Sequence, residues 1–175
     1  MYLAGPEVFL SDAIEVGEAK KELCRRLGLV GLFPLDAPAD HLDGLPAQEA
    51  GPGVFDICIE LMEGCDLTVA NMTPFRGPSM DVGTAVEIGC THGRGKPVFG
   101  YTNVTGGYAD RVTPDGHAIE PFGLSDNLMA PGTVHRSTGH FPVQPEAADS
   151  PADLADLSAF AACLERVTKF LGTPR

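Results

Sequence analysis

The chain has 175 residues, 43% of them hydrophobic and 21% charged, which is enough to build the core of one compact domain over residues 1–175 and too few for two comfortable ones. Twelve Lys and Arg against 24 Asp and Glu give a formal charge of −12, which argues against a nucleic-acid or anionic-membrane partner. What remains is a small uncharged partner, or acidity that serves only solubility.

The five cysteines, Cys24, Cys58, Cys65, Cys90 and Cys163, contain no CxxC pair and fit reduced, mostly buried thiols of a cytoplasmic protein. No run approaches a membrane span, and Met1 leads into an apolar segment without the basic start of a signal peptide.

In chain order, the opening "MYLAGPEVF" is a short apolar strand cut off by Gly5 and Pro6. Ser11 is placed to cap a helix in which Val16, Ala19, Leu23 and Leu27 recur at helical spacing, with Gly28 as its stop. "LVGLFPLD" reads as a second buried strand, and residues 36–53, rich in Pro, Gly and Ala, as a long loop of a length associated with function.

A second helix is expected over Val54 to Glu63 with Phe55, Ile59 and Met62 on one face, followed by "DLTVANM" as a third strand and the loop "TPFRGPSM". A third helix starting near Gly83 leads to a fourth strand, "KPVFGY". Residues 102–140 show little regular structure beyond a short apolar stretch at "GLSDNLM". Leu154, Leu157, Phe160, Leu164, Val167 and Leu171 then mark an amphipathic C-terminal helix. Apolar strands alternating with helices imply a doubly wound, mainly parallel α/β sheet of about five strands with helices on both faces. Its ligand crevice lies beyond the carboxyl ends of the strands, where the loops after the first, third and fourth strands are expected to meet.

The segment "SMDVGTAVEIGCTHG" poses the chemical question. Its helix carries Val82, Ala85, Val86, Ile88 and Cys90 around most of its circumference, the pattern of a buried helix, yet Glu87 sits in the middle. Asp81 and Glu87 are six residues apart and converge only if Asp81 lies in the preceding loop. Near the positive end of the helix dipole, in an apolar surround open to a crevice, Glu87 can serve as a base or a nucleophile. The alternative is a structural acid paired with Arg76 or Arg94. Tyr2, at the head of the first strand, can orient the carboxylate or be a plain strand aromatic.

Arg76 can grip a phosphate or tether its own loop, and the absence of another basic residue within ten positions favours the tether. His41, His92, His117, His135 and His140 are scattered without zinc-ligand spacing, so no metal is expected. The glycines form neither a dinucleotide fingerprint nor a Walker loop.

"YLAGPEVF", "CDLTVANMTPFRGPSMDVGTAVEIG" and "FGLSDNLM" resemble, in order and spacing, the nucleoside 2-deoxyribosyltransferases, over most of residues 1–130. The resemblance implies a flavodoxin-like fold and exchange of the base of a 2′-deoxynucleoside for a free nucleobase through a covalent deoxyribosyl-enzyme. It makes Glu87 the nucleophile, Tyr2 its orienting partner, and Asp81 the residue that binds the sugar hydroxyls. Gly5 and Phe9 border the substrate, Phe9 as a wall beneath the sugar. Asn127 and Met129 reach into the site of a neighbouring subunit, Asn127 to the 5′-hydroxyl, so a homodimer or higher homo-oligomer is implied.

No cofactor is implied, because the carboxylate itself stores the sugar. Ribonucleosides are expected to be poor substrates, since a 2′-hydroxyl crowds the nucleophile. Where the family pattern places an Asp or Asn in contact with the base, eight positions ahead of Asp66, this chain has Cys58, a weak donor. Other groups such as Asp56 or the 36–53 loop then have to read the base. Two further classes remain: an N-glycosidase cleaving deoxynucleosides or their monophosphates, and a non-catalytic nucleotide-binding module.

Overall fold

The computed structural model describes residues 1–146 and 153–172; of the expected domain, residues 147–152 and 173–175 lie outside the described residues. Three strands, β1 (Tyr2–Ala4), β2 (Thr68–Asn71) and β3 (Val98–Tyr101), form a parallel sheet in that order, with Tyr2 opposite Thr68 and Thr68 opposite Val98. All eleven strand positions are buried, as in a sheet covered on both faces.

Single parallel bridges extend both edges, Leu32 beside Tyr2 and Val143 beside Tyr101. Counting these, five chain segments lie side by side in the order second, first, third, fourth, fifth, which is the flavodoxin-like arrangement. The expected second strand thus shrinks to a bridge, held by Leu3 N–H to the Leu32 carbonyl and Leu32 N–H to the Met1 carbonyl, both 2.9 Å. Beyond it, Phe33 turns straight into a 3-10 turn at Pro34–Asp36, where proline's fixed φ suits the first position and its missing N–H ends the pairing.

Among the described residues five helices cover the sheet: α1 (Ala13–Arg26), α2 (Ala47–Gly64), α3 (Val82–Gly93), α4 (Met129–Thr138) and α5 (Ser158–Gly172). Strand alternation sorts the core into two layers. Leu3, Val69, Phe99 and Tyr101 join Cys24 of α1 and Phe160, Cys163, Leu164 and Val167 of α5, while Tyr2, Ala4, Ala70 and Val98 join Met62 of α2, Ile88 of α3 and Val134 of α4.

The helices depart from the sequence expectations in instructive ways. The N-cap of α1 is Asp12 rather than Ser11, and its buried stripe is Ala13, Val16, Gly17, Lys20 and Cys24; Ala19 and Leu27 face solvent. Gly28 ends the helix with φ 72°, the left-handed conformation that glycine adopts without strain.

Helix α2 begins at Ala47, seven residues before the expected Val54, and carries Pro52 inside it. The freed Gln48 carbonyl lies in an exposed first turn where water can satisfy it, so the helix survives a residue that would break a buried one. Phe55, expected on its inner face, is 59% exposed. Helix α4 occupies a region expected to be irregular: Pro131 sits in its first turn, where the missing N–H has no intrahelical acceptor to lose, and Gly139 ends it with φ 80°. In α5 the helix starts at Ser158, whose N–H and hydroxyl bond Asp156, so Leu154 and Leu157 precede it and Leu171 is exposed.

The thiols of Cys24, Cys65 and Cys163 are buried, those of Cys58 and Cys90 half-buried, and all five are free. No described helix is long and apolar enough to cross a membrane.

Because Phe160 of α5 is fully buried and packs 5.5 Å from the Tyr101 ring, the C-terminal helix and the sheet share one core. A single unfolding transition is expected, and Phe160→Ala should lower the unfolding free energy by about 3–5 kcal/mol in urea titration. Two separate transitions, or a loss below about 1 kcal/mol, would detach α5 from that core.

Candidate active site

Parallel order puts the loops after β1 and β2 at the same end of the sheet, where the chain order reverses between these two strands. There lies a cavity of about 470 Å³. Gly5, Val8 and Phe9 come from the loop after β1, Pro34, Leu35, Ala37 and Ala39 from the segment after the Leu32 bridge, Val54, Ile57 and Cys58 from α2, and Asp81, Gly83, Thr84 and Glu87 from the start of α3. The loop after β3, expected at the crevice, is not part of this wall; the segment following the second edge takes its place.

Glu87 is placed by two local rules. Asp81 has extended backbone (φ −60°, ψ 135°) and caps α3, its Oδ2 accepting from Thr84 N–H at 2.9 Å and from the Thr84 hydroxyl at 3.1 Å. Helix α3 therefore begins at Val82, and Glu87 lies in its second turn. Asp81 in the cap and Glu87 in the helix both face the cavity, the convergence that a loop position for Asp81 makes possible.

The Glu87 carboxylate is met by the Tyr2 hydroxyl, which donates to Oε1 at 2.6 Å across 85 positions of sequence. Tyr2 is fully buried in the layer beneath α2 and α3. Neither arginine weighed as a structural partner reaches Glu87. Arg94 pairs with Glu63 at 2.9 Å, and Arg76 lies over the rings of Phe9 and Phe75, 5.2 and 4.8 Å from their centroids.

Electrostatics follow from that geometry. Burial pushes the Glu87 carboxyl up to about 7, the Tyr2 hydrogen bond opposes the rise, and the charges of Asp81 and Glu7 add to it. Burial, then the Glu87 charge, raises the Tyr2 phenol, so it stays protonated and remains a donor. The Cys58 thiol is also raised by burial, with a Tyr2 hydrogen bond opposing and the Glu87 charge adding, so it is a poor acid at neutral pH.

The rim is an aromatic sandwich. Phe9, 56% exposed, stacks on Phe75 at 5.2 Å with 9° between ring planes, joining the loops after β1 and β2. Arg76, at φ 56° a non-glycine residue in the left-handed region, completes the stack. Its contacts are those of a loop tether.

Asn127 and Met129 are not brought to this cavity. They line a second one of about 440 Å³ on the far flank of α3, with Met80, Val82 and Ala85. The Asn127 side-chain amide donates to Glu120 at 2.6 Å, and its carbonyl accepts from Met129 N–H at 3.1 Å. Buried Asp126 ties this segment to the loop before α3, accepting from the Ser79 hydroxyl and, at 2.7 Å, from Met80 N–H.

Sequence reasoning did not single out Thr84, Ile57, Val54 or Leu35, which line the cavity. Thr84 was legible as the third residue of an Asp-capped helix; the others carry no chemical signal. Asp56 is exposed and does not line the cavity.

Comparisons with known proteins place the chain in a family. The family model for nucleoside 2-deoxyribosyltransferases matches residues 1–129. An uncharacterized protein of Schizosaccharomyces pombe is 30% identical over 165 residues, covering 79% of this chain and 78% of the relative. The 2-desoxiribosyltransferase from Leishmania mexicana superposes with a TM-score of 0.63 at 25% identity, covering 96% of this chain and 95% of that one. The 2-deoxyribosyltransferase of Bacillus psychrosaccharolyticus (TM-score 0.50, 22% identity, 88% and 92% covered) shares the fold. So does a conserved protein of Enterococcus faecalis (0.56, 19%, 95% and 96%). With the family model spanning well over half of its length, the chain belongs to the nucleoside 2-deoxyribosyltransferase family.

Proposed function

We propose that the chain transfers the 2-deoxyribosyl group of a deoxynucleoside to a free nucleobase through a covalent ester on Glu87. The observation that carries this reading is the Glu87 carboxylate itself, in the cavity wall, fixed through Oε1 by Tyr2 and without a cationic partner among the described residues. Tyr2 leaves Oε2 to attack C1′. The C1′–O bond forms as the C1′–N bond breaks, and the electron pair departs with the base nitrogen.

Positive charge on the sugar ring in this transition state is stabilised by an anion already in place. A second base then attacks C1′ with its nitrogen, restores the carboxylate and sheds its proton. Asp81 keeps Oδ1 for a sugar hydroxyl, because its Oδ2 is held by Thr84. Phe9 walls the cavity, and Cys58 and the apolar side chains of α2 border the base.

Asn127 and Met129 complete the site of a second subunit in this reading. Support comes from the apolar side chains left exposed here: Val82 and Val86, one helical turn apart on α3, and Met129 at the start of α4 are 78%, 53% and 68% exposed, as is common where a subunit contact covers a surface.

Incubating one deoxynucleoside with a different free base is expected to yield the new nucleoside, and a labelled sugar should be recovered on the peptide containing Glu87. Glu87→Gln should lower exchange at least about a hundredfold. Free deoxyribose alone would make the protein an N-glycosidase, and no turnover with retained ligand binding in Glu87→Ala would make it a binding module.

Attack requires the ionised carboxylate, so kcat/KM should rise with pH through an acid limb near the Glu87 value of about 7. The stability consequence has the opposite sign. The folded state holds the Glu87 proton more tightly than the unfolded chain, whose carboxyl titrates at its ordinary value of 4.5, so stability falls as pH rises from there to about 7. Glu87→Gln should therefore raise the thermal midpoint at pH 8 and leave it nearly unchanged at pH 4; equal shifts at both would remove the buried charge from the account.

Mixing inactive Glu87→Gln with impaired Asn127→Ala protein should restore part of the exchange rate, because one site of each mixed dimer then holds both residues. A monomer in sedimentation, or no recovery from a mixture shown to exchange subunits, would confine each site to one chain.

A further inference from the structure

The buried stripe of α1 holds a lysine where an apolar residue is expected. Lys20 and Glu7 are both 0% exposed, with Nζ 2.7 Å from Glu7 Oε1. The same oxygen accepts from the Tyr101 hydroxyl at 2.9 Å, and the ammonium lies 4.9 Å from the Phe160 ring centroid and 5.7 Å from that of Tyr101. Apolar residues of similar volume often serve stability as well as such a pair or better. Stability alone therefore does not account for it.

Its placement does. Glu7 sits in the single 3-10 turn Pro6–Phe9, and Gly5, Val8 and Phe9 around it line the candidate active site. Both donors converge on Oε1. The other oxygen, Oε2, is enclosed without a hydrogen-bond partner and lies against Gly5, where a methyl group would stand only 1.9 Å from it. Lys20 lies in the opposite layer of the core, among rings packed under α5. The pair is thus an oriented dipole, positive end in the core and negative end at the backbone of Gly5.

We propose that Glu7 and Lys20 are positioning residues of the active site, a fixed dipole whose negative end, held by the Lys20 ammonium and the Tyr101 hydroxyl, faces the cavity through Gly5 and stabilises positive charge developing on a bound sugar. The chemical consequence rests on the transfer reading above. A dipole built into the core needs no reorientation when charge develops. The same field opposes ionisation of Glu87, which is also faced by Tyr2 from β1, Cys58 from α2 and Asp81 from the cap of α3. Removing the dipole should therefore ease ionisation of the nucleophile and yet slow the reaction, two effects that a merely structural pair would not produce together.

The test is the double variant Glu7→Gln with Lys20→Met, which removes both charges and keeps the shape. Its fold is checked by circular dichroism. Infrared difference titration against Glu87→Gln in the same background is expected to place the Glu87 midpoint at lower pH than in wild type. With a deoxynucleoside and a free base, kcat should fall about tenfold while KM stays within about threefold. A folded double variant with the wild-type midpoint and kcat overturns the proposal.

If the double variant does not fold, Glu7→Asp keeps both charges and withdraws the carboxylate from Gly5 by one methylene. Shifts in the same directions are expected, and an unmoved midpoint overturns the proposal. Lack of exchange by wild type would sink the transfer reading alone, because the infrared titration needs no substrate and still decides whether the dipole faces Glu87.

Discussion

The bond from the Tyr2 hydroxyl to Glu87, 2.6 Å long, is the constraint on which the rest of the structure bears. It joins the second residue of the chain to the second turn of α3, and every intervening element has to be in register for it to form. Tyr2 points toward α3 only because Leu3 points the other way, into the layer of α1 and α5. A slip of one residue in the pairing of Tyr2 with Thr68 would exchange those faces and remove the phenol from the site. The hydrogen bond also opposes the desolvation that pushes the Glu87 carboxyl up to about 7.

Charge around the cavity is arranged in depth. Asp81 has one oxygen committed to the α3 cap, so it is oriented before any ligand arrives. The Glu7 carboxylate stands behind Gly5, and any side chain at that glycine would collide with it. The anions that converge here come from the turn after β1 and from the cap and second turn of α3, and the one buried cation near them among the described residues, Lys20, is on the far side of Glu7. At the rim, the Phe9, Phe75 and Arg76 stack locks together the two loops that carry Gly5 and lead to Asp81, and the left-handed backbone at Arg76 is the strain that this contact sustains.

Helix α3 divides two environments. Its inner side presents Thr84, Ile88 and Thr91 to the sheet, with Thr91 bonded to Thr68 at 2.8 Å, and Glu87 to the cavity. Its outer side presents Val82, Val86 and Gly89 to solvent. A helix apolar on nearly every side suggests complete burial, but a single copy of the chain has one sheet face to offer it. The two-subunit arrangement proposed above would cover the remaining strip, and the bonds of Asp126 to Ser79 and Met80 would connect the segment that crosses to the neighbour with the loop that leads into α3.

The sequence by itself determined the parallel α/β class, because four apolar strand-like runs alternate with helical periodicity. It also put the start of α3 near Gly83, one residue from the observed Val82, and marked Asp81 and Glu87 as candidates, because these depend on local spacing and side-chain chemistry. It misplaced elements where a local signal was overridden by context: Pro52 and the flanking glycines concealed the first turns of α2, Pro131 and Gly132 concealed α4, and Lys20 concealed the buried face of α1.

Only the tertiary structure decided that Tyr2 meets Glu87, that both arginines point elsewhere, that Asn127 and Met129 lie on the other flank of α3, and that Lys20 meets Glu7. Each of these is a contact between residues far apart in the chain or a choice among partners of equal chemistry. Such contacts are fixed by strand order, register and the packing of helices on two faces, none of which is encoded in any one stretch of sequence.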